Sequence, residues 1–231
     1  DYYPLMSKLV LIVDNDKNTA VVKQAIEVCE QLSKGLRSHF TYAHSIVPSL
    51  FQKFKDKKLI DAASKAIDAI DQYSQPIEDF VDKIQPELDL KANAVSKHGV
   101  ITLLDSCFSR KKHFHGHAHK AIAAKLTELS DDANAGVREG ALKLLGRLKW
   151  LGGDSAMSSM LSKLDKARLD KVTQAFESFG PPPVGAANVA SSMTFSSSSS
   201  GNAPDEAPPK RPATGAKPAA AKKPAANPVR N

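Results

Sequence analysis

A segment near the start of the chain recurs 116 positions later without a gap. Residues 13–32 read VDNDKNTAVVKQAIEVCEQL, and residues 129–148 read LSDDANAGVREGALKLLGRL. Five aligned positions are identical: Asp16 and Asp132, Asn18 and Asn134, Val21 and Val137, Ala25 and Ala141, and Leu32 and Leu148. Two weaker copies, residues 54–70 and 90–104, place the polar turns of the copies near residues 17, 57, 92 and 133. Because these turns recur at intervals of 35 to 41 residues, the chain is constrained to a repeat architecture.

Apolar residues within the copies recur every three or four positions, as in Ile60, Ala63, Ile67 and Ile70. This is the period of an amphipathic helix, and there is almost no alternation of the kind that predicts a strand. Helix pairs that recur about every 40 residues and stack on one another are typical of HEAT and armadillo repeats. The sequence therefore predicts an all-α solenoid over residues 1–179.

The repeated segment has the chemistry of a helix start. Its asparagine can accept a hydrogen bond from a backbone N–H of the first helical turn, which is worth about 1 kcal/mol. We expect the valine three residues later to point inward, and the small residue four positions beyond the valine to let paired helices approach closely. These residues are Asn18, Val21 and Ala25 in the first copy, Asn134, Val137 and Ala141 in the last, and Gly99 in the third.

Each predicted turn carries at least one cation. A cation at a helix N-terminus opposes the helix macrodipole by roughly a few tenths of a kcal/mol, so helix formation does not favour these positions. A single surface lysine ordinarily does no more than face water, but stacked repeats bring their turns to one edge, where the cations form a line. The line predicts a binding surface for an acidic partner. Its candidate residues are Lys17, Asn18, Lys55, Lys57, Lys58, Lys91, Asn93, Lys97, Asn134 and Arg138.

The composition changes at residue 180. Three consecutive prolines, a serine run and a Lys/Pro/Ala-rich end follow, and such a segment cannot bury enough apolar surface to offset the cost of ordering it. We therefore predict a disordered basic linker over residues 180–231, which carries +4 of the formal net charge of +7. The solenoid is only mildly basic, so net charge does not choose between nucleic acid, a membrane surface and an acidic protein.

Several classes of function are disfavoured. No apolar run is long enough for a transmembrane helix, and Cys29 and Cys107 are interpreted as reduced core thiols of a cytosolic protein. No Gly-rich phosphate loop, HExxH or GxSxG motif is present, so we predict neither an enzyme nor a small-molecule substrate. The segment HFHGHAHK has no cysteine or carboxylate beside it, so we predict no metal and no cofactor. Its alternating histidines are His113, His115, His117 and His119.

Further motifs accompany the turns. KDKK occupies residues 55–58, an N-x-x-V-R-E-x-A element followed by LG occupies residues 134–146, and LDKARLDKV occupies residues 164–172. Together with the order of the turns, these motifs resemble a TOG domain of the ch-TOG type of microtubule polymerases. The resemblance extends over residues 1–179, and the tail resembles the basic linkers that join such domains.

The resemblance implies a paddle of HEAT units that binds curved αβ-tubulin through the turns on one edge. It places Lys57 and Lys58 on the family's lysine pair, Lys91 and Val95 on the motif of a later turn, and Arg138 on the arginine of the family's fifth turn. It also implies that the family's first unit is not in this chain, so we expect about five units of an N-terminally truncated domain. The expected partners are tubulin and microtubules, and the expected location is the cytoplasm, on the cytoskeleton, spindle and centrosome.

Two other binding functions stay open. An α-solenoid can bind nucleic acid, but nucleic-acid binders usually add aromatic or arginine side chains for stacking, whereas this line of cations is mostly lysine. An armadillo-like adaptor would hold an acidic protein segment in a concave groove. The position of the cations therefore distinguishes tubulin binding from an adaptor function. A line of cations on the edge favours tubulin, and a ladder of cations in a groove favours an adaptor.

Overall fold

The described part of the chain comprises residues 2–114 and 116–182 of a computed structural model, and within these ranges it contains helices but no strand. The predicted linker, from residue 183 onward, lies outside the described residues. The α-helices are α1 (Tyr3–Asn15), α2 (Thr19–Leu36), α3 (Ala43–Gln52), α4 (Ile60–Tyr73), α5 (Val81–Glu87), α6 (Ala94–Ser109), α7 (His117–Leu129), α8 (Ala135–Gly152), α9 (Asp154–Leu161) and α10 (Lys166–Ser178). None of these helices is long and apolar enough to cross a membrane.

The helices form five consecutive pairs that stack in two layers. Odd-numbered helices pack on one another in order, from α1 on α3 to α7 on α9. Even-numbered helices form the second layer in the same way, from α2 on α4 to α8 on α10. One continuous apolar core lies between the layers. The predicted all-α solenoid is confirmed.

Side-chain caps begin four of the five even-numbered helices. The side chains of Asn18, Asn93, Asn134 and Asp165 each accept a hydrogen bond from a backbone N–H two or three residues later, at 2.8–3.2 Å. Each cap satisfies an otherwise unpaired donor and contributes about 1 kcal/mol. The capping predicted for the asparagines of the first and last copies is confirmed.

Small residues permit close approach between the elements, as predicted. Ala25 and Ala141 are buried. A Cβ atom at Gly99 would lie 2.8 Å from Cδ1 of Phe54, so α6 packs directly against the turn before α4. Gly146 of α8 serves the same purpose against α10, where a Cβ would lie 2.9 Å from the carbonyl oxygen of Val172.

The prediction that both repeated valines point inward is wrong for the first copy. Val137 is fully buried, whereas Val21 is 40% exposed and Val22 is buried in its place. The reason is the position of each helix in the stack. Helix α8 lies between α6 and α10, whereas α2 has an even-numbered neighbour on one side only, among the described residues. The same sequence position therefore has a different environment.

The interior thiols behave as predicted for core residues. Cys29 and Cys107 are buried and form no disulfide. Burial raises the pKa of Cys29 to about 12 and raises that of Cys107 as well. Both thiols are therefore protonated at neutral pH and unreactive.

Charged side chains hold together the ends of the helices that lie far from the turns within the pairs. Asp71 near the end of α4 accepts hydrogen bonds from the backbone N–H of Ile77 at 2.9 Å and from the ammonium of Lys111 at 3.1 Å. The same ammonium lies 2.8 Å from Glu78. Lys111 therefore joins the segment after α6 to the loop between α4 and α5.

Candidate binding edge

The turns within the helix pairs lie side by side. Contacts between side chains link each turn to the next: Lys55 lies 4.0 Å from Glu87, and Lys97 forms an ion pair with Asp132. Farther along, Arg168 forms an ion pair with Asp131. The turn edge is defined here as residues 16–18, 53–59, 88–93, 130–134 and 162–165, together with the first helical turn that follows each segment.

The first turn continues this row. At the opposite ends of α2 and α4, the guanidinium of Arg37, directly after α2, lies 5.8 Å from the ring centre of Tyr73, the last residue of α4. Since α2 packs along α4, the start of each of these helices lies beside the start of the other. The turn edge therefore extends over all five helix pairs of the described residues.

Four of the predicted cations are exposed. They form no ion pair with any side chain in the described part of the chain, so no acidic side chain there offsets their charge. They are Lys17 on the first turn, Lys57 and Lys58 on the second, and Lys91 on the third. The backbone N–H of Lys58 donates to Asp56 at 2.9 Å, which fixes the shape of the second turn.

The other predicted residues of these turns make contacts within the fold. The ammonium of Lys55 donates to the side-chain oxygen of Gln52 at 2.6 Å and lies 4.0 Å from the carboxylate of Glu87, although the lysine side chain is still half exposed. Asn18, Asn93 and Asn134 are exposed but use their side-chain oxygens as helix caps. Val95 is half-buried beside its cap. These residues shape the turn edge, and parts of their surfaces remain accessible.

The prediction that Lys97 presents a free charge is wrong. Lys97 is only 3% exposed, and its ammonium donates to the carbonyl of Leu90 at 2.9 Å and to the carboxylate of Asp132. An unpaired charge in this position would be strongly disfavoured, so the acid beside the fourth turn is its necessary partner. Burial raises the pKa of Asp132, but hydrogen bonds from Lys97 and from the backbone N–H of Asn134 outweigh burial and hold the pKa below its usual value.

Arg138 also has a role in folding that the sequence did not predict. Arg138 is half-buried, and its Nη1 donates to the carbonyl of Asp132 at 2.6 Å and to that of Ala133 at 2.9 Å. These carbonyls follow the end of α7, where backbone acceptors lack helical partners. The expectation that folding does not favour a cation at this position is therefore wrong for Arg138, although part of the side chain still faces the solvent.

Sequence reasoning missed the fifth turn. Lys163 and Lys166 are exposed on either side of Asp165, which caps α10. The signal was the motif SKLDK, which follows the fourth turn by roughly one repeat. It lacks the asparagine of the first, third and fourth turns, so the comparison of copies did not reveal it.

The histidine tract contains at least one residue of the core. His119 is fully buried, its Nε2 lies 3.0 Å from the carbonyl oxygen of Leu148, and its ring contacts Phe114. His113 and His117 are exposed, and His115 lies outside the described residues. In residues 2–114 and 116–182, no group of three or more histidine, cysteine or acidic residues is arranged to hold a metal ion.

No protein-family model matches the sequence. Among curated proteins, "Protein mini spindles" of Drosophila melanogaster is 28% identical over 181 residues, which cover 77% of this chain and 9% of the relative. "Spindle pole body component alp14" of Schizosaccharomyces pombe is 29% identical over 188 residues, which cover 77% of this chain and 22% of the relative. The chain thus spans less than a quarter of the length of these two relatives.

Solved structures share the fold. One, described as the structural basis of microtubule plus end tracking by XMAP215, CLIP-170 and EB1, has a TM-score of 0.69 and 27% identity over 80% of this chain and 77% of its own. Another concerns tubulin recruitment and assembly by microtubule polymerases with Tumor Overexpressed Gene (TOG) domain arrays. It has a TM-score of 0.69 and 19% identity over 77% of this chain and 38% of its own, so this second likeness concerns the fold alone. The chain is a homologue of TOG-domain proteins, and its described residues have the TOG-domain fold.

Proposed function

We propose that this chain binds the αβ-tubulin heterodimer through its turn edge, as one module of a factor that promotes microtubule growth. The observation that carries the proposal is the row of exposed cations without ion-pair partners, Lys17, Lys57, Lys58 and Lys91, on adjacent turns. The fold adds support, because a structure of the same fold is described in the context of tubulin recruitment by microtubule polymerases.

The binding is electrostatic and geometric. An exposed ion pair contributes about 1 kcal/mol or less, so a single lysine confers little affinity, but a row of lysines acts on the same partner at once. The helices hold the turns in place before binding, which lowers the entropy cost of association. Because exposed charges are screened beyond about 8 Å at physiological ionic strength, added salt weakens this binding.

The proposal assigns no reaction to the chain. The proteins it resembles are named for spindles and described in terms of microtubule plus end tracking, and we propose that this chain acts by binding alone, without a cofactor or a small-molecule substrate. The proposed location is the cytoplasm, on microtubules, spindle and centrosome. The names of the relatives, which refer to spindles and to the spindle pole body, support that location.

An adaptor function has less support. A groove of about 790 Å³ lies between α4 and α6, but its charged residues do not form a ladder of cations. Three acids line it, Glu30, Asp61 and Asp68, together with only two lysines, Lys34 and Lys65, and Lys34 forms an ion pair with Glu30. The row of unpaired cations lies on the turn edge instead, which favours tubulin over an acidic peptide held in a groove.

Charge reversal on the second turn tests the proposal. We expect Lys57→Glu combined with Lys58→Glu to abolish comigration of the chain with αβ-tubulin in gel filtration, with unchanged helicity by circular dichroism.

The matched control is Lys112→Glu combined with Lys120→Glu. Both lysines are exposed and lie near the connection between α6 and α7. Helix α6 is 16 residues long, which separates this connection from the third turn by about 24 Å. The control should comigrate as the wild type does. Comigration of the Lys57/Lys58 variant at the wild-type level would exclude the second turn as a contact.

A further inference from the structure

A chain of buried polar contacts joins the third turn to the fourth. The ammonium of Lys97, in the first turns of α6, donates to the carbonyl of Leu90 at 2.9 Å. The same ammonium binds the carboxylate of Asp132, which precedes α8. The other carboxylate oxygen of Asp132 accepts the backbone N–H of Asn134 at 2.8 Å. Lys97 thus binds the backbone of one turn and a carboxylate of the next at the same time.

The contacts continue in both directions along the turn edge. Toward the second turn, Glu87 is only 6% exposed, and its carboxylate accepts a hydrogen bond from the hydroxyl of Ser96 at 2.8 Å and lies 4.0 Å from the ammonium of Lys55. Toward the solvent, Arg138 binds the carbonyl of Asp132 at 2.6 Å. Lys97 and Asp132 therefore lie between residues that reach the surface on three different turns.

Stability alone is a weak explanation for this ion pair. The cost of removing two charges from water often exceeds their mutual attraction, and apolar residues of similar volume are frequently as stable or more so. A buried ion pair does fix the relative orientation of the two elements that it joins, because its hydrogen bonds are satisfied in only one arrangement of those elements. Here the two elements are neighbouring turns of a binding surface.

We propose that Lys97 and Asp132 are positioning residues that hold the third and fourth turns at one fixed spacing, so that Lys91 and Arg138 meet tubulin together. This inference rests on the proposed tubulin binding. Neither residue of the pair touches the partner, because both are buried. The role of the pair is to fix the geometry of the residues that do.

The test uses a neutral pair, Lys97→Met combined with Asp132→Asn. The asparagine oxygen can still accept the N–H of Asn134, and no unpaired charge remains, so the variant should fold. We expect its affinity for αβ-tubulin to fall about tenfold, and the backbone amides of residues 131–138 to exchange with deuterium faster than in the wild type. Amides of residues 143–150, deeper in α8, should exchange at the wild-type rate.

The matched control is Lys111→Met. Lys111 joins Asp71 and Glu78 at the ends of the helices far from the turn edge. This change should lower the melting temperature but leave tubulin affinity and exchange at residues 131–138 unchanged. A second comparison uses Lys97→Met alone, which leaves Asp132 without its partner and should lose more stability than the double variant. If the pair only stabilised the fold, the double variant would recover both stability and tubulin affinity relative to Lys97→Met alone.

The exchange measurement separates failure of the inference from failure of the proposed function. If the amides of residues 131–138 exchange at the wild-type rate in the double variant, the pair does not hold the third and fourth turns at a fixed spacing. Faster exchange with unchanged tubulin affinity would overturn the positioning role and leave tubulin binding intact. A wild-type chain that does not bind tubulin would overturn the proposed function, and with it the role of the pair in binding.

Discussion

Arg138 donates a hydrogen bond of 2.6 Å to the carbonyl oxygen of Asp132, six residues earlier in the chain. Arg138, which stands where the first copy has Val22, therefore holds its own turn in shape. Replacement of Arg138 should therefore affect both the stability of the turn and the proposed contact with tubulin. The two effects can be separated, because one is measured without tubulin and the other with it.

Arg138→Ala should lower the free energy of unfolding by about 1 kcal/mol, since it removes charged hydrogen bonds at a half-exposed site. Chemical denaturation monitored by circular dichroism measures this change. Glu139→Ala, at the exposed neighbouring position, should have almost no effect. Equal stability of Arg138→Ala and the wild type would mean that the bonds to Asp132 and Ala133 do not support the turn.

Gly99→Ala should destabilise the protein by about 1–3 kcal/mol, because the new methyl group would lie 2.8 Å from the buried ring of Phe54. Gly35→Ala is the control, since no atom lies within 4 Å of a Cβ at this position of α2. The control should be neutral or stabilising by up to about 1 kcal/mol. Thermal unfolding compares the two, and a stable Gly99→Ala variant would contradict the close packing of α6 on the second turn.

The stability conferred by Asp132 should depend on pH. Hydrogen bonds from Lys97 and Asn134 hold the pKa of Asp132 below its usual value despite burial. The ionised carboxylate therefore stabilises the fold above the unfolded-state pKa of about 3.9, and this contribution is lost as the pH falls through the folded-state pKa. The difference in unfolding free energy between the wild type and Asp132→Asn should shrink from about pH 5 to about pH 3. A constant difference over this range would contradict the assignment.

The sequence predicted the features that depend on spacing. The period of the repeat, the asparagine caps and the small residues at close contacts follow from local chemistry that recurs in the first, third and fourth copies. Val21, Lys97 and Arg138 were misjudged because their environments depend on neighbouring repeats or on the path of the turn. Val21 has no even-numbered helix on its outer side among the described residues, and Lys97 is covered only because the next turn supplies Asp132.

The central claim, that the turn edge contacts αβ-tubulin, is tested most directly by photo-cross-linking. A photoreactive amino acid replaces Lys57 in one variant and Lys112, an exposed lysine remote from the turn edge, in the other. After irradiation with αβ-tubulin, the account predicts a cross-linked product from position 57 and none from position 112. Equal products from both positions, or a product from position 112 alone, would contradict it.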